Sequence, residues 1–105
     1  MTTVSLYFGR DIEGRGMVTD AEWSRFSAKV IEGQFPDGFT SFDAAGQWRN
    51  PRNGLAVSEP TKVVQIVVPA SFDLRPGVAA VVAAYKRQYR QLAVGIVSIA
   101  GCGAF

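Results

Sequence analysis

Residues 3–8, TVSLYF, alternate strictly: Val4, Leu6 and Phe8 fall on one side, Thr3, Ser5 and Tyr7 on the other. That period of two is the pattern of a strand buried on one face. A polar, Gly-rich stretch, GRDIEGRG, follows and reads as a flexible loop. The period then changes. TDAE at 19–22 forms a capping box, in which the Thr19 hydroxyl accepts from the Glu22 backbone N–H and the Glu22 carboxylate reaches back. Asp20 and Glu22 also suit the positive end of a helix dipole. Trp23, Phe26, Val30 and Ile31 recur at helical spacing and form the apolar stripe. Gly33 permits the stop, and Pro36 lies just beyond it.

After a Pro-Asp-Gly turn at 36–38, a second strand is expected from about Thr40 to Trp48. Asn53-Gly54 is a hairpin signal, because both residues tolerate positive φ. The return strand ends in KVVQIVV, residues 62–68, the most apolar strand and therefore a central one. A second helix is expected from about Pro76 to Gln91, with Val78, Val81, Val82, Tyr85, Tyr89 and Leu92 on one face. AVGIVSI at 93–99 supplies a fourth strand, and AGCGAF a tail.

The order β-α-β-β-α-β in one domain over residues 1–105 predicts an α+β fold, the ferredoxin-like plait. Right-handed crossovers then give a four-stranded antiparallel sheet in the order 4-1-3-2, with two helices on one face. Val4, Leu6, Phe8, Val64, Ile66 and Val68 point at the helices. The opposite face, with Ser5, Tyr7, Val63, Gln65, Val67 and Ser41, Asp43 or Gln47, is left uncovered. Tyr7, Val63 and Val67 make part of it apolar, which marks an interaction surface. A two-residue turn at Asn53-Gly54 places Trp48 opposite Glu59 in an arm that overhangs the sheet, with Pro51 and Pro60 each removing a ladder donor. Trp48 then pins the arm by packing, and Arg49 pairs with Glu59 for ~0.5 kcal/mol.

Composition narrows the chemistry. There is no histidine and only one cysteine, Cys102. No disulfide can form within the chain, and the commonest general base and metal ligand are missing. No metal or other cofactor is expected. A net charge of +2 does not suggest a nucleic-acid partner, and YKRQYR at 85–90 reads as a solvated helix turn. The start, MTTVSLYFGR, has no basic segment leading into an apolar run, and no apolar stretch approaches a membrane span. The expectation is a cytoplasmic chain without a membrane partner.

LYFG at 6–9, AEWSRF at 21–26, FPDGFT at 35–40, GQWR at 46–49, EPTKVV at 59–64 and AAYKRQY at 83–89 together resemble a family of small bacterial proteins classed as a domain of unknown function. The resemblance runs from about Leu6 to Val97. It implies the plait fold and no established activity. Members often carry an export signal or a lipoprotein cysteine, and this sequence has neither motif.

The favoured reading is a non-catalytic binding module. It assembles as a homodimer and uses the open face and the arm to hold a small ligand or a partner. The candidate binding residues are Tyr7, Gln47, Trp48, Arg49, Glu59, Lys62, Gln65 and Tyr85; none is assigned as catalytic. Two alternatives stand beside it. One is a cofactor-independent enzyme of the dimeric plait type, in which Tyr7, Glu59 or Lys62 converge in a pocket. The other is a protein-binding inhibitor.

Overall fold

The computed structural model describes residues 1–105. Eight residues form β1 (Thr2–Gly9). The Gly-rich stretch then makes a miniature hairpin, β2 (Asp11–Ile12) and β3 (Gly16–Met17). This corrects the expectation of a flexible loop. Ile12 and Val18 are buried in the core, and Arg10 is buried with its guanidinium donating twice to the Val18 carbonyl oxygen.

The first helix, α1, is α-helical over Asp20–Phe26, widens to a π-helical stretch over Ser27–Ile31 and closes over Glu32–Gln34. The capping box forms as the sequence predicts. The π-helical stretch moves the apolar stripe: Ile31 is fully buried while Val30 only borders the core. A five-residue step from Phe26 to Ile31 suits i→i+5 bonding. Gly33 does not end the helix, which runs on to Gln34 and delivers Phe35 into the core. Gly77 makes room for that ring, since a Cβ there would stand 2.8 Å from Phe35 Cζ.

Two long strands follow, β4 (Thr40–Arg49) and β5 (Ala56–Val68), then α2 (Arg75–Tyr89) and β6 (Gly95–Ala100). In α2, Val78, Val81, Tyr85 and Tyr89 are buried, whereas Leu92 is 96% exposed. The helix has already ended at Arg90, whose φ of 51° turns the chain away before Leu92. The sheet is four-stranded, in the order β4-β5-β1-β6, and every neighbouring pair is antiparallel.

One core forms between the sheet and both helices, from Val4, Leu6 and Phe8 of β1, Val64 and Ile66 of β5, and the helix residues named above. At its centre the Phe8 ring meets Tyr85 at 4.8 Å, Trp23 at 5.2 Å and Phe26 at 6.2 Å between centroids, all edge-on. Edge-to-face pairs add about 0.5–1.5 kcal/mol each beyond the area they bury. The Tyr85 hydroxyl, deep in this cluster, donates to the Gly9 carbonyl oxygen at 2.6 Å. Phe8 thus joins β1 to both helices at once. Phe8→Ala is expected to cost about 3–5 kcal/mol in urea unfolding; a loss below 1 kcal/mol, on the order of a surface change, would mean the cluster does not hold the layers together.

Candidate functional site

Pairing register decides which side chains share a face. Tyr7 lies opposite Val63, and Val63 opposite Phe42. The uncovered face therefore carries Thr3, Ser5 and Tyr7 of β1, Val63, Gln65 and Val67 of β5, Thr40, Phe42 and Ala44 of β4, and Val97 and Ile99 of β6. Ser41, Asp43 and Gln47 were expected there and lie on the helix side instead. Asp43 stands opposite Lys62, and their side chains pair at 2.7 Å. Arg10 approaches the same carboxylate at 3.5 Å. Phe42 takes the open-face position instead, opposite Val63 and exposed.

The arm also differs from expectation. The hairpin loop is six residues, 50–55, closed by a hydrogen bond from Asn50 N to Leu55 O. Trp48 consequently faces Val57, and Glu59 faces Gly46. The expected Arg49–Glu59 pair does not form; the Arg49 guanidinium donates to the Gly54 carbonyl oxygen across the loop. Asn50 and Asn53 accept from backbone N–H groups two residues on, so the loop is built by Asx turns rather than by Asn-Gly alone. Trp48 is half exposed and does not reach the core.

The candidate residues therefore divide. Tyr7, Trp48, Glu59 and Gln65 lie on the open face. Gln47, Arg49 and Lys62 lie on the other. Tyr85 belongs to the core. A cavity of about 470 Å³ at one end of the open face brings Gln65 together with Met1, Phe39, Val67 and Phe105, but none of Tyr7, Trp48 or Glu59 lines it.

At the other end sits Glu59. It is half-buried, no ion pair or hydrogen bond engages its carboxylate, and burial followed by the charge of Asp11 raises its pKa. Two glycines flank it. Gly46 is its cross-strand partner, and a Cβ on Gly9 would overlap Glu59 Oε1 and stand 3.7 Å from Gln91 Oε1. Sequence reasoning placed Glu59 on the candidate list but missed Gly9, Gly46 and Gln91; the signal available was the Gly in LYFG and in GQWR. Glu22 makes a useful contrast. Its carboxylate takes hydrogen bonds from the Arg15 guanidinium and then from the Thr19 backbone, which pull its pKa down to about 2. Glu22 is a structural carboxylate, and Glu59 has no structural partner.

No group of three Cys, Asp or Glu residues is placed to hold a metal ion, and no helix is long and apolar enough to cross a membrane. The family model described as "Protein of unknown function (DUF3574)" matches residues 3–105. The chain belongs to the DUF3574 family. No curated protein matches it. Among solved structures this DUF3574 chain is similar to a phage SAM lyase in complex with S-methyl-5'-thioadenosine. The TM-score is 0.69 at 13% identity, covering 93% of this chain and 79% of the lyase. The phage SAM lyase in its apo state matches at 0.61 and 11%, covering 93% and 78%. At such identity the likeness is one of fold.

A raised carboxylate pKa has a definite sign. The folded protein binds a proton that the unfolded chain releases, so Glu59 lowers stability as pH rises from its unfolded towards its folded pKa. Glu59→Gln is expected to raise the urea midpoint at neutral pH and to leave it little changed in acid. The side-chain carboxyl carbon of Glu59 should titrate above the ordinary glutamate range, and that of Glu22 near 2. A Glu59 midpoint at or below the ordinary value would contradict the desolvated site.

Proposed function

We propose that this DUF3574 protein is a self-associating binding module. Two copies pack open face to open face, and the arm and Glu59 at the margin hold a small ligand. The observation that carries the reading is the composition of the open face. An antiparallel sheet that faces water normally alternates core-facing apolar residues with polar ones. Here Tyr7, Phe42, Val67, Val97 and Ile99 put apolar side chains on the solvent side of all four strands, interleaved with the uncharged Thr3, Ser5, Thr40 and Gln65. Glu59 is the single charged residue of that face, and it lies at the end.

Such a surface has little to offer a charged partner. A second copy presents the same face, charged only at Glu59 on its margin, and completes an isologous pair about a two-fold axis. At ~4.8 Å between strands and ~3.3 Å per residue, the strands present roughly 600 Å² of flat area. Side-chain relief brings that near the ~800 Å² per partner of a standard interface.

The architecture is inferred to be the ferredoxin-like plait. Counting the four long strands alone, in chain order, gives 4-1-3-2 from the β6 edge to the β4 edge, and both helices contribute to one core with one side of β1 and β5.

A second reading, a cofactor-independent enzyme, draws support from the fold neighbours, both described as SAM lyases. Glu59 and Tyr7 share the open face, and a desolvated carboxylate is suited to proton transfer. Lys62 has no part in it, being paired with Asp43 on the far side. Incubation with SAM tests this reading: S-methyl-5'-thioadenosine formed by the wild type and not by Glu59→Gln supports it, and unchanged SAM removes a SAM-lyase activity.

Self-association is tested by sedimentation. The wild type is expected to sediment as a dimer at micromolar concentration. Phe42→Asp and Val97→Asp should sediment as monomers with unaltered circular dichroism, since both side chains stand outside the core. A wild type that stays monomeric, or aspartate variants that still dimerise, would overturn the proposal.

A further inference from the structure

We infer that the Glu59 niche is a binding site for the primary ammonium group of a small molecule. The inference rests on the reading of the open face as the working surface and names the ligand class that surface takes.

Two hydrogen-bond acceptors converge with no donor between them. The Gln91 side-chain NH₂ is already committed, donating to the Asp11 and Tyr89 carbonyl oxygens at 2.8 and 3.1 Å. Its Oε1 therefore remains free, and it lies with Glu59 Oε1 within 4 Å of the point that a Gly9 Cβ would occupy. The surrounding charge has the same sign. Asp11 is the charge that acts on Glu59, and the cations adjoining Gly9 and Glu59 along the chain are engaged elsewhere: Arg10 with Asp20, Val18 and Asp43, and Lys62 with Asp43. A carboxylate held beside a free carbonyl oxygen and a second carboxylate lacks only a cation with several N–H donors. A primary ammonium has three. A quaternary ammonium has none and leaves the Gln91 oxygen unpaired.

The floor of the niche is made for close approach. Gly9 and Gly46 remove the side chains that would stand on either side of Glu59. Trp48 lies diagonal to Glu59 on the same face, Glu59 pairing with Gly46 and Val57 with Trp48. Diagonal neighbours are about 7–8 Å apart, a gap that long aromatic side chains span. The half-exposed Trp48 ring can thus cover the apolar stem of an amine or stack on its cation. This gives the tryptophan a use that core packing does not, since it lies half exposed and outside the core cluster.

The test is a titration of the full chain with n-butylammonium chloride, followed by the amide NMR shifts of Gly9 and Gly46 and by tryptophan emission. n-Butanol and tetramethylammonium serve as controls. The amine is expected to shift both glycine amides saturably. Glu59→Gln should weaken binding at least about tenfold, a change of ~1.4 kcal/mol. Gly9→Ala, whose methyl displaces the carboxylate, should do likewise. Binding should also fade as pH drops through the protonation of Glu59. Equal binding by wild type and Glu59→Gln overturns the inference, as does equal response to the amine and either control. Sedimentation of the same samples reports self-association separately, so a dimer that ignores the amine refutes the site alone, and a monomer that binds it refutes the assembly alone.

Discussion

The Phe8 ring sits where the sheet and both helices meet, edge-on to Trp23, Phe26 and Tyr85. That aromatic contact commits one side of β1 to the core, and strict alternation then commits the other side to whatever lies outside. Tyr7, one residue earlier, has no freedom to turn inwards. Because β5 pairs with β1 along its length, the same division passes to Val63 and Val64, and from β5 to Phe42 and Asp43. One buried cluster thereby fixes the composition of a surface across four strands. Val63 shows how far this goes: it lies on the uncovered side and is still buried, flanked by Tyr7 and Phe42.

The Gly9 carbonyl group and its missing side chain connect that core to the niche at the sheet margin. On the core side, the Tyr85 hydroxyl holds the Gly9 oxygen. On the other, the absent Cβ leaves the space that the Glu59 carboxylate occupies. The two halves of the site are thus set by one residue. A carboxylate partly removed from water without a partner is held there at a cost in free energy, and Glu22, with its arginine and its capping role, shows how the same chain satisfies a carboxylate that has only structural duty. That contrast between the two glutamates supports the proposed role of Glu59.

Much of this was legible in the sequence. Period-two alternation in TVSLYF, the TDAE box and the 3-4 spacing of Val78, Val81, Tyr85 and Tyr89 gave the long elements and most of the core. Misreadings arose where local pattern competes with tertiary geometry. Phe42 looks like a core residue and is not, because its pairing with Val63 overrides its hydrophobicity. Ile31 displaces Val30 through a π-helical step that helical periodicity does not contain. Leu92 fits the stripe by spacing but falls beyond a left-handed residue. The arm register rested on Asn-Gly, whereas Asn50 closes a longer loop. Glu59 is a candidate from its expected place in the arm opposite Trp48, whereas its actual neighbours Gly9, Gly46 and Gln91 meet it only through pairing and the chain reversal after α2, which no short window of sequence records.

The central claim is that the helices sheathe one side of the sheet and that a second copy covers the other. Hydroxyl-radical footprinting across a concentration series tests it most directly. Tyr7, Phe42, Val97 and Ile99 should become protected together as concentration rises, while Leu92 and Phe72, exposed elsewhere, remain labelled throughout. Uniform labelling of the open face at every concentration, or protection that falls on Leu92 and Phe72 instead, would contradict it.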